Sequence, residues 1–315
     1  MTYNSLQFFP FFAIFLILYL LMPRVRLRQI IILIGNIVFY MLDAGRGMLF
    51  VLDATSLVVY AAGRTIDHIY SGYEREKEGL TPKEGAALFA GYKKRAKKYL
   101  LAAFFLILGF LFYAKIGKLF GFKETDTIMG LFSGGTILVP LGLSYYTFSS
   151  VGYLLDLYWK KAKCERDYFR LIVCMTYFPH IVQGPIGRYD KLLKQFAALP
   201  GFSYERVCAG LIRMLWGFIK KMVIADRLAL FTRTVFASPG EFAGFEIFLA
   251  VSLCAVELYA DFSGCMDIVI GAAETMGITL DENFKRPFFS KSAAEFWRRW
   301  HISLSTWFRQ YLYIP

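Results

Sequence analysis

Residues 295–315 read EFWRRWHISLSTWFRQYLYIP. The spacing predicts a helix, and it sets Arg298, Arg299, His301 and Arg309 among Trp297, Trp300, Trp307 and Phe308. On such a helix His301 and Ser305, four residues apart, share a face with Trp297. Ionisable groups at bilayer depth are costly and normally face a bundle interior or an aqueous cavity. Indole rings beside guanidinium groups also permit cation–π contact. Taken alone, the segment fits an interfacial helix with a Trp/Arg belt and a structural histidine more readily than a site, since aromatic–cation belts are common at membrane surfaces.

The rest of the chain favours lipid as its surroundings. Of 315 residues, 57% are hydrophobic and 19% charged, with a mean hydropathy of +0.46. Soluble domains carry about 45–50% apolar and roughly 25% charged residues. The net charge of +12 lies in Lys and Arg placed between apolar runs. That distribution suits cytoplasmic loops facing anionic membrane lipid and argues against nucleic acid as a partner. Cys164, Cys174, Cys208, Cys254 and Cys265 form no CxxC pair, and three histidines are too few for a zinc site, so no metal is expected. The apolar run 6–22 has no basic stretch before it and no small-residue cleavage site after it. A retained first helix is therefore expected rather than a removed signal peptide.

Spanning a bilayer takes about 20 mostly apolar residues. Runs 6–22, 30–42, 48–63 and 99–114 are the first candidates, and Asp53 in the third must face protein or water. Run 128–159 is interrupted by Gly134, Gly135, Pro140 and Gly142, which predicts a bend or re-entrant piece. The stretches 24–28, 64–98 and 160–170 are basic, with nine cations against five acids in the second and five against two in the third. Alternating spans put all three on one side. The positive-inside rule makes that side cytoplasmic and the N-terminus external. Stretch 64–98 is expected to be a cytoplasmic loop with short amphipathic helices, its basic part 92–99 lying on the inner membrane surface or capping the next helix.

After Arg170 the runs shorten to 171–182, 207–225, 243–259 and 262–276, cut by Pro179, Gly184 and Pro185 and carrying Lys220 and Lys221. Irregular backbone at membrane depth requires surrounding protein or a water-filled cavity, so a site is expected here. The fold class is therefore all-α: a polytopic transmembrane bundle with broken or re-entrant helices, one domain over 1–315. In YADFSGCMD (259–267), Asp261 or Ser263 is expected to cap a following helix. Asp267 lies inside an apolar run and needs a partner, expected to be an Arg of the final segment. In YFPHIVQGPIGR (177–188), prolines and glycines predict a broken helix. His180 there reads as a hydrogen-bonded structural histidine more readily than as a base. In PLGLSYYTFSSVGYLLDLY (140–158), the hydroxyls and Asp156 fit helix packing as easily as ligand contact.

These segments, together with ENFKRPFFSKS (282–292), occur in the order found in bacterial membrane-bound O-acyltransferases of the alginate O-acetylation type, which the chain resembles from about residue 140 to 315. The resemblance implies a ring of helices around a thin, tunnelled centre in the bacterial cytoplasmic membrane. It implies transfer of an acyl group from a cytoplasmic donor, acetyl-CoA or another thioester, with no bound cofactor. The acceptor is a polysaccharide outside the membrane, reached with an extracytoplasmic acetyltransferase partner. Two histidines act in that family. The first corresponds to His301, which positions or polarises the acyl group. The second, the base, belongs to a Trp-His-Gly segment not reached before Pro315, so the chain as written is expected to be an incomplete, inactive fragment. Around His301, Ser305 is expected to orient the ring and Arg298 and Arg299 to hold anionic groups. Asp267 would pair with one of these arginines, and Trp300 would support the site. Two rivals stand: D-alanyl transfer toward teichoic acid by a related family, and a polysaccharide transporter or export component. Transporters often show paired repeats, and none is visible here.

Overall fold

The structure, a computed structural model, describes residues 5–43, 46–116, 143–181 and 184–314. Among the described residues every regular element is helical. The chain divides into two compact units. The first comprises 1–23, 183–185 and 199–308, the second 24–182, 186–198 and 309–315.

The second unit holds α2 (Val25–Asp43), α3 (Arg46–Glu76), α4 (Pro82–Ile116), α5 (Leu143–Tyr158), α6 (Tyr168–Met175), α7 (Phe178–Ile181) and α8 (Tyr189–Ala197). Within α2, Val25–Leu42 is the one helix among the described residues long and apolar enough to cross a membrane. Stretch 64–98 is not a loop with short helices of its own. Helices α3 and α4 run through it and leave only 77–81 between them. Residues 92–99 are interior to α4 and form no separate element. The turn closes with a capping box. Thr81 Oγ1 accepts from the Glu84 amide at 3.4 Å, Glu84 Oε2 takes the Thr81 amide at 2.9 Å, and Pro82 occupies the first helical position. Asp53 in α3 accepts from the Tyr168 hydroxyl at 3.0 Å. The bend expected around Gly134–Gly142 lies outside the described residues.

The break expected at 177–188 is present. The buried Asn36 of α2 reaches into this break. The Asn36 amide donates to the Thr176 hydroxyl at 3.0 Å and its oxygen accepts the Phe178 amide at 2.9 Å.

The first unit holds α1 (Phe8–Leu21), α9 (Tyr204–Phe218), a π-helical turn (Ile219–Ala225), α10 (Asp226–Ala237), α11 (Gly244–Thr275), α12 (Ala293–Arg299) and α13 (Ile302–Phe308). Helix α11 is continuous through 259–267. Asp261 and Ser263 are therefore mid-helix and cap nothing, contrary to the expectation from the sequence, because intrahelical bonds already satisfy their neighbours. Glycines seven apart on α9, Gly210 and Gly217, face Gly271 and Gly264 on α11. A Cβ at Gly217 would lie 2.6 Å from the Gly264 carbonyl oxygen, and one at Gly264 would lie 2.8 Å from that of Gly217. Only glycine lets the two backbones touch this closely. Helix α11 ends at Thr275, and the chain turns at Gly277 (φ 78°), whose amide bonds the Glu274 carbonyl at 2.9 Å, while the Ile278 amide bonds that of Ala273 at 2.9 Å. This Schellman turn sends the chain into the irregular segment 278–285.

Candidate active site

The segment expected to be one helix over 295–315 is two short helices and a turn. Helix α12 ends at Arg299, α13 begins at Ile302, and a π turn, Arg309–Tyr313, follows. His301 lies at the break with φ 44°, the left-handed region that a non-glycine residue enters at a cost of about 1–2 kcal/mol. Side chains held in such conformations cluster at active sites and ligand clamps. No sequence period announces this break, since Trp300 and His301 are acceptable helix residues.

Segment 278–285 bridges the break. The Lys285 amide donates to the Arg299 carbonyl at 3.0 Å, closing the end of α12. The Ile302 amide donates to the Asn283 carbonyl at 3.0 Å, and the Ser303 amide donates to Asn283 Oδ1 at 3.0 Å. Two amides of the first turn of α13, which a preceding cap residue ordinarily meets, are thus met from an upstream segment.

The imidazole of His301 is half-buried and packs edge-on against Phe262 of α11, ring centroids 5.0 Å apart. Phe262 in turn meets Phe284 at 5.0 Å, and Phe284 meets Trp300 at 5.0 Å. Trp300 also stacks on Phe296 at 5.5 Å, so it is a packing partner within an aromatic cluster beside the histidine.

Other expected members of the site lie differently. The Ser305 hydroxyl donates to the Trp297 carbonyl at 3.3 Å and the Ser305 amide to the His301 carbonyl at 3.1 Å. Ser305 therefore ties α13 back to α12 through its hydroxyl instead of bonding the imidazole. Arg299 pairs with Glu295 one helical turn earlier at 2.5 Å, and Arg298 is exposed. Asp267 does not pair with either arginine. Its two oxygens take Arg213 Nε at 3.1 Å and Lys220 Nζ at 2.6 Å. Arg213 goes on to Glu282 at 2.7 Å, and Lys221 pairs with Asp261. The two lysines that interrupt an apolar run sit on the π turn. Their charges are met across the α9–α11 packing, a long-range pairing that residue spacing cannot show.

Residues 168–315 match the model of the membrane-bound O-acyltransferase family, MBOAT. This stretch belongs to the membrane-bound O-acyltransferase family. The whole chain is 34% identical over 320 residues to the "Probable alginate O-acetylase AlgI" of Pseudomonas syringae pv. tomato, and it spans 57% of that relative's length. It is 28% identical over 244 residues to the "Peptidoglycan O-acetyltransferase" of Helicobacter pylori, covering 67% of this chain and 46% of that one. To the "Teichoic acid D-alanyltransferase" of Bacillus subtilis it is 32% identical over 180 residues, covering 55% of this chain and 45% of that one.

The O-acyltransferase stretch also contains His180 and Arg188, both in the second unit. His180 is buried, and its Nε2 accepts the Gly187 amide at 2.9 Å, which puts its proton on Nδ1. A Cβ at Gly187 would meet that nitrogen at 2.5 Å. His180 is thus buried and hydrogen-bonded, as its sequence setting suggested. Arg188 reaches Asp190 at 3.1 Å and the buried Asp156 at 3.5 Å. Asp156 also accepts from the Tyr311 hydroxyl at 2.8 Å. In the same unit a cleft of about 550 Å3 is lined by Lys160, Lys161, Lys163, Arg170 and Lys194 against Glu165 and Asp190.

Proposed function

We propose that this chain, completed by a segment carrying the second histidine that the resemblance implies, forms a multi-pass O-acyltransferase of the bacterial cytoplasmic membrane that passes acetyl groups to a polysaccharide outside it. The observation that carries the reading is the left-handed, half-buried His301, held between two short helices within the O-acyltransferase stretch. Transfer needs the acceptor hydroxyl oxygen to bond the thioester carbonyl carbon. The C–S bond then breaks, and the hydroxyl proton ends on the departing thiol. His301 positions or polarises that carbonyl, and the aromatic wall of Phe262, Phe284 and Trp300 lowers the local polarity around it. The basic cleft at Lys160–Lys194 fits the phosphates of a thioester donor or anionic headgroups on the inner face. An extracytoplasmic acetyltransferase would hand the group to the polymer.

The test is chemical. Exported polysaccharide from cells with and without the gene is treated with mild base, and the released acids are identified. Acetate that depends on the gene is the expected result. Gene-dependent D-alanine with unchanged acetate would replace this reading with the D-alanyl one, which the similarity to the Bacillus subtilis protein favours. No change in either ends both.

The multi-pass arrangement rests on the alternation of basic and charge-poor connections, with the N-terminus outside. Alkaline phosphatase fused at the N-terminus behind an export signal, and at residue 79 between α3 and α4, reports the sides directly. Activity from the first fusion and none from the second is expected. The reverse pattern inverts the topology.

A further inference from the structure

We propose that Asn283 is the positioning residue that sets the direction of the His301 imidazole. This deepens the acyl-transfer reading and rests on it. Asn283 is 0% exposed and makes three contacts around the break. Its carbonyl and its Oδ1 receive the Ile302 and Ser303 amides, both at 3.0 Å, and its side-chain NH2 lies 3.1 Å from Met266 Sδ. Met266 and Phe262 are four residues apart on α11 and so lie on one face of that helix. Asn283 touches the first and the His301 ring packs on the second. One face of α11 therefore receives both the cap of α13 and the histidine just before α13. With the first turn of α13 held against that face, the Cα–Cβ bond of His301 has one direction left, and the left-handed backbone is the geometry that supplies it.

A side chain that merely filled space would affect the whole molecule. A positioning side chain affects His301 selectively, and the chain carries its own controls. Of its three histidines, His68 is exposed, His301 half-buried and His180 buried. The full chain in detergent is treated with diethyl pyrocarbonate, and the modification rate at each histidine is read by mass spectrometry. The parent should react in the order His68, His301, His180. Asn283→Ala removes the acceptor of the Ser303 amide while leaving the backbone bonds. It should raise the His301 rate about fivefold, within the population change that a left-handed residue's ordinary penalty permits, with His68 and His180 unchanged. Asn283→Asp keeps an acceptor oxygen in place and should return the rate toward the parent. Acetate on the exported polysaccharide, at equal protein level, should fall with Asn283→Ala and recover with Asn283→Asp.

An unchanged His301 rate in Asn283→Ala overturns the proposal. So does a rise shared by His180, or an Asn283→Asp protein no closer to the parent than Asn283→Ala, since each makes Asn283 structural only. If the His301 rates change as expected while acetate follows neither variant, the positioning stands and the acyl-transfer reading falls.

Discussion

Replacing His301 by glycine should leave the protein at least as stable as the parent and abolish acetyl transfer. The two effects have opposite signs because they come from different parts of the residue. The backbone at 301 is left-handed (φ 44°), a region glycine enters without the clash of a Cβ. Relieving that clash is worth about 1 kcal/mol, less the extra chain entropy glycine brings to the unfolded state. The imidazole contributes a different quantity. A positioned group acting on protons or developing charge is worth typically about 10²–10⁴ in rate. Gene-dependent acetate on the polysaccharide should therefore fall by about two orders of magnitude or more. His301→Ala loses the same imidazole but keeps the Cβ and its backbone penalty, so it should be as inactive as His301→Gly and less stable. His301→Asn, a residue that tolerates the left-handed region, should also be inactive. The measurements are acetate per unit of protein and the midpoint of thermal unfolding in detergent. A glycine protein that transfers acetate at the parental rate would show that only the turn matters and would remove His301 from the chemistry.

The helical class and the neighbourhood of the site were legible in the sequence for physical reasons that can be named. Apolar runs at helical length, and the charge-rich aromatic stretch 295–315, follow from what a helix in lipid can tolerate. What could not be read was geometry depending on contacts far apart in the chain. The break at Trp300–His301 exists because segment 278–285 supplies the hydrogen bonds that a continuous helix would have made for itself. Asn283 looks like an ordinary loop residue until Ser303 is seen against it. Asp267 lies inside an apolar run and needs a partner, and the sequence points to the arginines of the final segment. The partners are instead Arg213 and Lys220, brought opposite by the α9–α11 packing and by a π turn whose extra residue no pattern of spacing reveals. Lys220 and Lys221 interrupting an apolar run were the available signal, since two adjacent cations there require two carboxylates near them. The charge of residues 64–98 suggests a loop, yet their helix propensity prevails and α3 and α4 run through them. Three glycines of that stretch, Gly72, Gly85 and Gly91, are absorbed inside the helices, and the interruption falls between Gly79 (φ 85°) and Pro82, where α3 has stopped and α4 starts.

That same α9–α11 contact carries the largest expected loss of stability. A methyl group at Gly217 would sit 2.6 Å from the Gly264 carbonyl oxygen and 2.7 Å from the Ile268 amide nitrogen. Both are backbone atoms of a helix and cannot turn aside as a flexible side chain would. The helices must move apart, and separation also lengthens the ion pairs of Asp267 with Arg213 and Lys220, whose side chains are each less than a third exposed. Overpacking alone typically costs about 1–3 kcal/mol. With weakened, partly buried ion pairs added, Gly217→Ala should fall at or above the top of that range, and Gly264→Ala, 2.8 Å from the Gly217 carbonyl, should match it. Gly91→Ala in α4 is the control. No atom lies within 4 Å of its added Cβ, and alanine is the better helix former by about 0.5–1 kcal/mol, so it should be neutral or stabilising. Unfolding midpoints and the yield of monodisperse protein decide between them. If Gly217→Ala and Gly264→Ala unfold with the parent while Gly91→Ala differs, the two backbones do not touch. The charge pairs, which depend on that approach, would then have to be held together by something else.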